Sequence, residues 1–187
     1  MTLAATVVVP GPGDMNAMNG LKNAYNDNTL LVHIAVETDP EIRGRDGIHE
    51  TPPETYDTVT RENRVVKNPD GVLAAVERAV ETATTAPQGP VRLGIPKSYL
   101  PAAEPPGGVA EIEASAPSGP PAETVADAAA VLDGADAPVI IAGGGVRSAD
   151  ASEELRAFAE RYDAPVLTTY KGKGVIPEDH PLSAGVL

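Results

Sequence analysis

The sequence predicts an α/β protein whose parallel sheets are covered by helices in three layers, arranged as two incomplete Rossmann-like domains. Two observations predict this class. Short apolar runs of strand length alternate with segments whose apolar residues recur at helical spacing, the pattern of parallel sheets buried on both faces. A stretch rich in proline and glycine separates residues 1–100 from residues 122–187, so we interpret residues 101–121 as an interdomain linker.

The composition of the chain limits the classes of partner and site that it can have. Its 187 residues include 27 acidic and 14 basic side chains, a net charge of −13 that repels nucleic acid and anionic lipid. We expect neither as a partner. The charge indicates a halophilic source, where molar salt screens self-repulsion, with an ordinary acidic cytosolic protein as the alternative. The lack of Cys excludes disulfides, thiolate metal sites and cysteine nucleophiles. No apolar run approaches ~20 residues and no export signal is present, so we expect a cytoplasmic protein.

The first strand and the first helix flank a turn of prolines and glycines. The three valines at residues 7–9 are typical of the end of a buried strand, and residues 10–13 (Pro-Gly-Pro-Gly) force the chain to turn. We interpret Asp14 as the N-cap of the helix that follows. The helical spacing is carried by Met15, Met18, Leu21 and Tyr25. A ligand could approach backbone N–H groups at this helix start, but a tight connection without a ligand also fits.

A second strand is predicted over residues 30–36, which are almost continuously apolar. We interpret His33, within this run, as a core or sheet-edge histidine rather than a ligand. Residues 37–53 have the polar composition of a loop, punctuated by prolines and glycines. Loops after parallel strands often carry ligand-binding groups, so His49 and Glu50 are better functional candidates, although each also suits a solvated loop.

Another helix and strand follow this loop. Asn68 or Asp70 is the expected N-cap of the helix, residues 84–89 end it, and residues 91–96 predict a strand that Pro96 terminates. The apolar face of the helix is formed by Val72, Leu73, Val76, Ala79, Val80 and Ala83.

Beyond the linker the alternation of helix and strand resumes. The sequence predicts a helix over residues 123–133 and a buried strand over residues 137–142. Gly143, Gly144 and Gly145 follow at the carboxyl end of this strand, where open α/β sheets bind dinucleotides. Because the run departs from G-x-G-x-x-G, a structural turn and a nucleotide site both stay open. The remaining predicted elements are a helix from Ser148 or Ala151 to Tyr162, a strand over residues 165–169 and a loop over residues 170–174.

The order of the motifs is more informative than any single motif. The two most specific are residues 11–16 (Gly-Pro-Gly-Asp-Met-Asn) and residues 172–181 (Gly-Lys-Gly-Val-Ile-Pro-Glu-Asp-His-Pro). Residues 89–97 and residues 143–145 lie at spacings that fit the same arrangement. Over nearly its whole length, the chain therefore resembles thiamine-diphosphate-dependent enzymes of the acetolactate synthase type.

The resemblance carries expectations about domains and function. It implies that residues 1–100 are the C-terminal part of a pyrimidine-binding domain and that residues 122–187 are the N-terminal half of a central domain. It also implies thiamine diphosphate and Mg²⁺ as cofactors. The implied reaction is decarboxylation of a small-molecule 2-oxo acid, followed by carboligation to an acceptor or by protonation.

Individual residues match positions with known roles in the family. The resemblance implies that Gly11, Pro12, Gly13 and Asn16 lie on the pyrimidine side of thiamine. The sequence has His49 where the synthases have a glutamine near the substrate channel. Lys97 matches a lysine of the same channel.

Flavin-containing members of the family contact FAD through two segments. Gly143, Gly144, Gly145 and Thr169 match residues of these segments. Ala75 replaces an arginine of those members, and Lys171 replaces a methionine. FAD, an ADP-like nucleotide and no nucleotide therefore all remain open for this chain.

Two parts of the family's machinery have no match in these 187 residues. No Glu occurs before Pro10, where the family has the acid that activates thiamine, and no Gly-Asp-Gly segment for Mg²⁺ and diphosphate occurs before Leu187. The resemblance thus assigns no catalytic residue and no metal ligand here. It implies a chain inactive by itself, completed in a homo-oligomer or by a complementing chain with the missing domains. Whether the chain is an enzyme stays open, and the alternative is a nonenzymatic nucleotide-binding or regulatory module.

Overall fold

Two parallel sheets organise the chain, which confirms the predicted α/β class. The computed structural model describes residues 3–45, 50–103 and 119–187. Contacts between residues divide the chain into two units, residues 2–117 and residues 118–187. The first unit contains a four-stranded sheet and the second a three-stranded sheet, and all of their strand pairs are parallel.

The first unit alternates strands and helices around its sheet. Its sheet order is β1-β2-β4-β3, with β2 and β4 in the centre. The elements are β1 (Ala4–Val8), α1 (Pro12–Asp27), β2 (Leu31–Glu37), β3 (Glu62–Val65), α2 (Val72–Thr84) and β4 (Pro90–Pro96). The predicted strands over residues 30–36 and 91–96 and the helix that begins near residue 70 are thereby confirmed. Asn68 accepts a hydrogen bond from Gly71 N–H in the 3₁₀ turn that precedes α2, so it caps the turn rather than the helix itself.

The apolar core of the first unit lies between α2 and one face of the central strands. Alternate residues of β2 and β4 point to this face because side chains alternate along a strand. The buried side chains are Val32, Val66, Val72, Ala79, Ala83, Val91, Leu93 and Ile95. The other face carries α1 and a smaller cluster of Leu21, Tyr56 and Val59.

Two expectations for the first unit are wrong, and one strand has no counterpart among the predicted elements. The strand β1 was expected to be buried, but Val7 and Val9 are 67% and 66% exposed, because β1 is an edge strand that pairs with β2 alone among the described strands. The N-cap of α1 is Gly11, not Asp14, and the helix begins at Pro12, whose fixed φ suits the first helical position. The short strand β3 was not predicted, since its sequence, Glu-Asn-Arg-Val, lacks an apolar run.

The second unit has a smaller sheet in the order β5-β6-β7. Its elements are α3 (Ala122–Asp133), β5 (Ile140–Ala142), α4 (Gly144–Ser148), α5 (Ser152–Tyr162), β6 (Val166–Thr168) and β7 (Ser183–Val186). The core consists of Ala142, Ala159, Val166, Val175 and Ile176. The strand expected over residues 137–142 is shorter than predicted, and Ile141 is 63% exposed, so the expectation of a buried strand holds only for Ala142.

Most of the expected linker lies outside the described residues, and the assignment of residues 101–121 to a linker stays a prediction. Within the ranges that the structure describes, no helix combines the length and the apolar character needed to cross a membrane.

Candidate functional site

The turn between β1 and α1 depends on glycine. Gly11 has φ 63° and ψ −106°, a conformation that residues with a side chain rarely adopt. Its carbonyl oxygen accepts a hydrogen bond of 2.8 Å from Met15 N–H, which closes the first turn of α1. A Cβ on Gly13 would lie 2.8 Å from Cγ2 of Val9, so Gly13 allows α1 to pack closely against the chain that leaves β1.

The outer surface of this turn is open to solvent. Val9 is 66% exposed and Met15 is 43% exposed. Pro12 and Asn16 are exposed beside them. The turn therefore presents apolar carbon together with one side-chain amide, a combination common in small-molecule sites.

Behind the turn, one row of polar side chains crosses the whole sheet. The strand register pairs Thr6 with His33, His33 with Arg92, and Asn63 with Arg92, so each strand supplies one member. Residues paired in this way point to the same face of the sheet. Thr6 Oγ1 and His33 Nδ1 are 2.7 Å apart, and Arg92 Nη1 donates to Asn63 Oδ1 at 3.1 Å.

Asp14, in the first turn of α1, lies over this row and is 2% exposed. Its Oδ1 is 2.9 Å from Nε2 of His33. Arg92 donates to Asp14 Oδ2 from Nε at 3.0 Å and from Nη2 at 2.6 Å. Burial by itself would raise the pKa of Asp14, but the hydrogen bonds with His33 and Arg92, together with the guanidinium charge, lower that pKa below its ordinary value.

Glu37, the last residue of β2, is the second carboxylate bound to Arg92. Arg92 Nη2 donates to its Oε1, and Arg43 Nη2 donates to its Oε2 at 3.2 Å. Gly94 leaves room for this side chain, because a Cβ there would lie 2.7 Å from Glu37 Oε1. Burial by itself would lower the pKa of Arg92, but the hydrogen bonds and charges of the two carboxylates raise that pKa above its ordinary value. We call Asp14, His33, Glu37 and Arg92 the Arg92 cluster.

Tyr56 packs on the Arg92 cluster from a 3₁₀ turn, Pro53–Tyr56. Its ring centroid is 4.3 Å from Cζ of Arg92, a cation–π contact. The Tyr56 hydroxyl is buried and has no hydrogen-bond partner of ordinary geometry among the described residues. Burial and the negative charge of Asp14 raise the pKa of Tyr56, so its hydroxyl stays protonated at neutral pH.

In the second unit, the three glycines after β5 lie against the loop that follows β6. Gly143 is the N-cap of α4, and a Cβ on it would be 3.9 Å from Thr169 Oγ1. A Cβ on Gly144 would be 3.1 Å from Cβ of Lys171, whereas nothing lies within 4 Å of that position on Gly145. Thr169 Oγ1 also accepts a hydrogen bond of 3.2 Å from Gly172 N–H. The structure thus brings the predicted nucleotide-binding residues together.

Comparison with known proteins identifies this architecture. Residues 125–187 match the model of the thiamine pyrophosphate enzyme central domain. A solved structure described as "a putative thiamin diphosphate-dependent enzyme", from Mycobacterium smegmatis, superposes with a TM-score of 0.88 at 29% identity, over 100% of this chain and 36% of that one. The chain is similar, over nearly its whole length, to thiamine-diphosphate-dependent enzymes.

Three further proteins are similar to nearly the whole chain. The acetolactate synthase large subunit of Corynebacterium glutamicum is 34% identical over 96% of this chain and 29% of its own length. A Methanocaldococcus jannaschii protein named "Probable acetolactate synthase large subunit" is 32% identical over 97% of this chain and 32% of its own length. Benzoylformate decarboxylase from Polynucleobacter necessarius has a TM-score of 0.83 at 27% identity over 99% of this chain and 35% of that one. The chain thus spans about a third of the length of these relatives.

The structure describes two of the three other candidate residues, His49, Glu50 and Lys97. His49 lies outside the described residues. Lys97 is exposed directly after β4, and the next residue, Ser98, donates its N–H to Asp39 Oδ1 at 2.7 Å. This hydrogen bond, with a smaller contribution from the Lys97 charge, lowers the pKa of Asp39. Glu50 accepts a hydrogen bond of 2.9 Å from Gly44 N–H, so it closes a loop. The roles proposed for His49 and Lys97 stay predictions.

Sequence reasoning missed the part of the site that is most deeply buried. Arg92 lies within a predicted strand without a role predicted for it, and Glu37 begins the predicted loop over residues 37–53. A usable signal is present: the polar residue His33 and the charged residue Glu37 fall at alternate positions of one apolar strand, and the charged residue Arg92 interrupts another. A charged side chain inside a buried strand needs a buried partner, and that requirement predicts an ion-pair cluster on one face of the sheet.

The ionised carboxylate of Asp14 should make the free energy of unfolding depend on pH. Because the fold lowers its pKa, Asp14 contributes stability that is present above its unfolded-state pKa and is lost as the pH falls through the folded-state pKa. We expect Asp14→Asn to reduce the free energy of unfolding by about 2–3 kcal/mol at pH 7. The difference from the parent protein should shrink below about pH 4, near the ordinary pKa of an Asp side chain. Urea denaturation over a pH series measures this.

The exposed carboxylate of Asp70 provides the control for this experiment, because the Asp70→Asn variant should follow the parent protein at every pH. A difference between the parent and Asp14→Asn that stays constant from pH 7 to pH 3 would contradict the role assigned to the carboxylate charge.

Proposed function

We propose that this chain supplies the pyrimidine side of a thiamine-diphosphate site in an acetolactate synthase-like enzyme that acts on 2-oxo acids. The observation that supports this best is the turn over residues 11–16, where a strained glycine start of α1 is surrounded by exposed apolar carbon and one amide. The same segment is one of the two that carry the most specific sequence resemblance to the family. When bound, thiamine diphosphate supplies the stabilisation of negative charge on carbon that lets a 2-oxo acid lose carbon dioxide.

The residues at the turn suit the aminopyrimidine ring. A flat heteroaromatic ring needs apolar contact on its faces and hydrogen bonds at its edge. Pro12 and Met15 offer exposed carbon, and Asn16 offers an amide that both donates and accepts. Gly11 and Gly13 shape the turn. We therefore assign Gly11, Pro12, Gly13 and Asn16 to the pyrimidine side, His49 and Lys97 to the substrate channel, and no catalytic residue to this chain.

The diphosphate and metal belong to other parts of the proposed assembly. In the part of the chain that the structure describes, no group of three or more His, Asp or Glu side chains could hold a metal ion. The chain spans about a third of the relatives' length. We propose that Mg²⁺ and the diphosphate are bound by segments corresponding to the remaining two thirds, in a homo-oligomer or on a complementing chain, and that residues 1–187 are inactive without them.

The proposal predicts a direct contact between the turn and the pyrimidine ring. In saturation-transfer NMR with the 187-residue protein and thiamine diphosphate, we expect the pyrimidine protons to receive more saturation than the thiazolium protons. Asn16→Ala should weaken binding about fivefold, the effect of one lost hydrogen bond. Asn23→Ala is the matched control, because Asn23 is also exposed on α1 but lies two helical turns farther along. Equal saturation of both rings, or a response that is insensitive to Asn16→Ala, would overturn the proposal.

A nucleotide is a second candidate ligand, and one observation favours it. Gly143 and Gly144 lie against the loop that contains Thr169 and Lys171, as expected for the segments that contact FAD in flavin-containing members. We propose that FAD or an ADP-like nucleotide binds there. The same NMR experiment with ADP tests this: an ADP response that Gly145→Val removes, without any response to thiamine diphosphate, would favour a nonenzymatic nucleotide-binding or regulatory module.

A further inference from the structure

The turn over residues 11–16 is attached to the sheet through Asp14. The helix α1 has no side-chain cap, so the Asp14 carboxylate does not satisfy the N–H groups of its own helix. Its oxygens instead bind His33 on β2 and Arg92 on β4. An acidic residue in the first helical turn ordinarily faces solvent and interacts with the helix dipole. Here it fixes the start of α1 over one point of the sheet.

Arg92 connects this attachment to a second segment at the same face of the sheet. It donates to Asn63 Oδ1, and the Nδ2 group of Asn63 donates to Pro53 O at 2.6 Å and to Asp57 Oδ1 at 2.8 Å. The ring of Tyr56, between these two residues, stacks on the guanidinium. Arg92 thus connects the turn over residues 11–16 with the segment 53–57 and fixes the position of one relative to the other.

The energetics of the cluster indicate positioning rather than stability. A buried ion pair generally stabilises a fold no more than well-packed apolar residues of the same volume, because desolvation offsets the attraction between the charges. Its hydrogen bonds are directional, however, and the two bonds that Nε and Nη2 of Arg92 donate to Asp14 Oδ2 restrict both the distance and the angle between the two side chains. Apolar contacts at the same positions would let α1 slide or rotate at lower cost.

We propose that Arg92 is a positioning residue that holds the turn over residues 11–16, through Asp14, in the geometry that accepts the aminopyrimidine. This inference rests on the proposed function for its ligand, but the attachment of the turn to Arg92 is independent of any ligand. Glu37 accepts a hydrogen bond from the same Nη2 of Arg92 that donates to Asp14, and Gly94 leaves room for the Glu37 side chain.

The test is residue-resolved amide hydrogen exchange on the full chain without ligand, for the parent protein and for Arg92→Lys. Lysine keeps the charge but loses the planar fork. We expect exchange at residues 13–16 to become about tenfold faster, the effect of about 1.4 kcal/mol of local stability. Exchange in α2, on the opposite face of the sheet, should change less than twofold. A merely structural role would speed exchange in both regions by the same factor.

Two further variants keep the inference falsifiable if Arg92→Lys does not fold. Asn63→Ala removes one hydrogen bond of Arg92 without changing a charge, and should speed exchange at residues 13–16 by up to about fivefold. Arg78→Met removes an exposed arginine from the same unit and should leave the exchange of residues 13–16 unchanged.

Saturation-transfer NMR with thiamine diphosphate separates two claims. The first is that Arg92 holds the turn, and the second is that the turn binds the cofactor. Faster exchange confined to the turn, with pyrimidine binding weakened about tenfold in Arg92→Lys, supports it. Exchange that rises equally in the turn and in α2, or in neither, overturns the positioning role of Arg92 and leaves the proposed function standing. If exchange at the turn is faster in Arg92→Lys but the parent protein shows no response to thiamine diphosphate, the proposed function and the cofactor role of Arg92 are both overturned.

Discussion

Arg92→Met should reduce the free energy of unfolding of the first unit by about 3–5 kcal/mol, the cost of leaving buried carboxylates without their counter-charge. Asp14 is 2% exposed and Glu37 is 8% exposed, so water cannot replace the lost guanidinium without opening the fold. A typical domain has only about 5–15 kcal/mol of stability, so this loss is large enough for urea denaturation to resolve easily.

The matched control for this prediction is Arg78→Met. Arg78 pairs with Glu62 at 3.0 Å, but its side chain is 56% exposed, and such pairs contribute about 0–1 kcal/mol. The defect of Arg92→Met should shrink as the pH falls, because burial raises the pKa of Asp14 once the guanidinium is gone and protonation then removes the unpaired charge. If Arg92→Met and Arg78→Met are equally stable at pH 7, the cluster does not carry the buried charge that its geometry indicates.

Gly172→Ala should destabilise the second unit by about 3 kcal/mol through overpacking. A Cβ on Gly172 would lie 2.2 Å from the carbonyl oxygen of Ala142 and 3.0 Å from its carbonyl carbon. Both atoms belong to the backbone at the end of β5, so neither can rotate out of the way as a side chain could. Hydrogen exchange of peptides from α5 and β6, followed by mass spectrometry, measures the stability of this unit separately from the first.

Gly145→Ala is the control, because nothing lies within 4 Å of a Cβ on Gly145 and the residue is part of α4. Replacing a helical glycine by alanine without a clash should stabilise the unit by up to about 1 kcal/mol. A Gly172→Ala protein with the exchange rates of the parent would show that β5 and the loop after β6 are farther apart than the structure places them.

Local sequence signals predicted the elements with strong patterns and missed those with weak ones. The strand β2 and the helix α2 carry continuous or periodic apolar residues, and both formed where expected. The strands β3 (Glu62–Val65) and β7 (Ser183–Val186) have almost no large apolar residues, and their pairing with an already formed strand decides their structure. Val7 and Ile141 were expected to be buried, but burial depends on neighbouring elements rather than on hydrophobicity.

The sequence by itself determined the α/β class, the two glycine turns and the resemblance to thiamine-diphosphate-dependent enzymes, because each follows from residues close together in the chain. Only the tertiary structure decided what Asp14 does. Asp14 and Arg92 are 78 positions apart, and they meet because the parallel register places Thr6, His33, Arg92 and Asn63 in one row beneath α1. A shift of that register by one residue would point Arg92 into the apolar core beside α2, so the register is fixed only when the apolar faces of distant strands pack together.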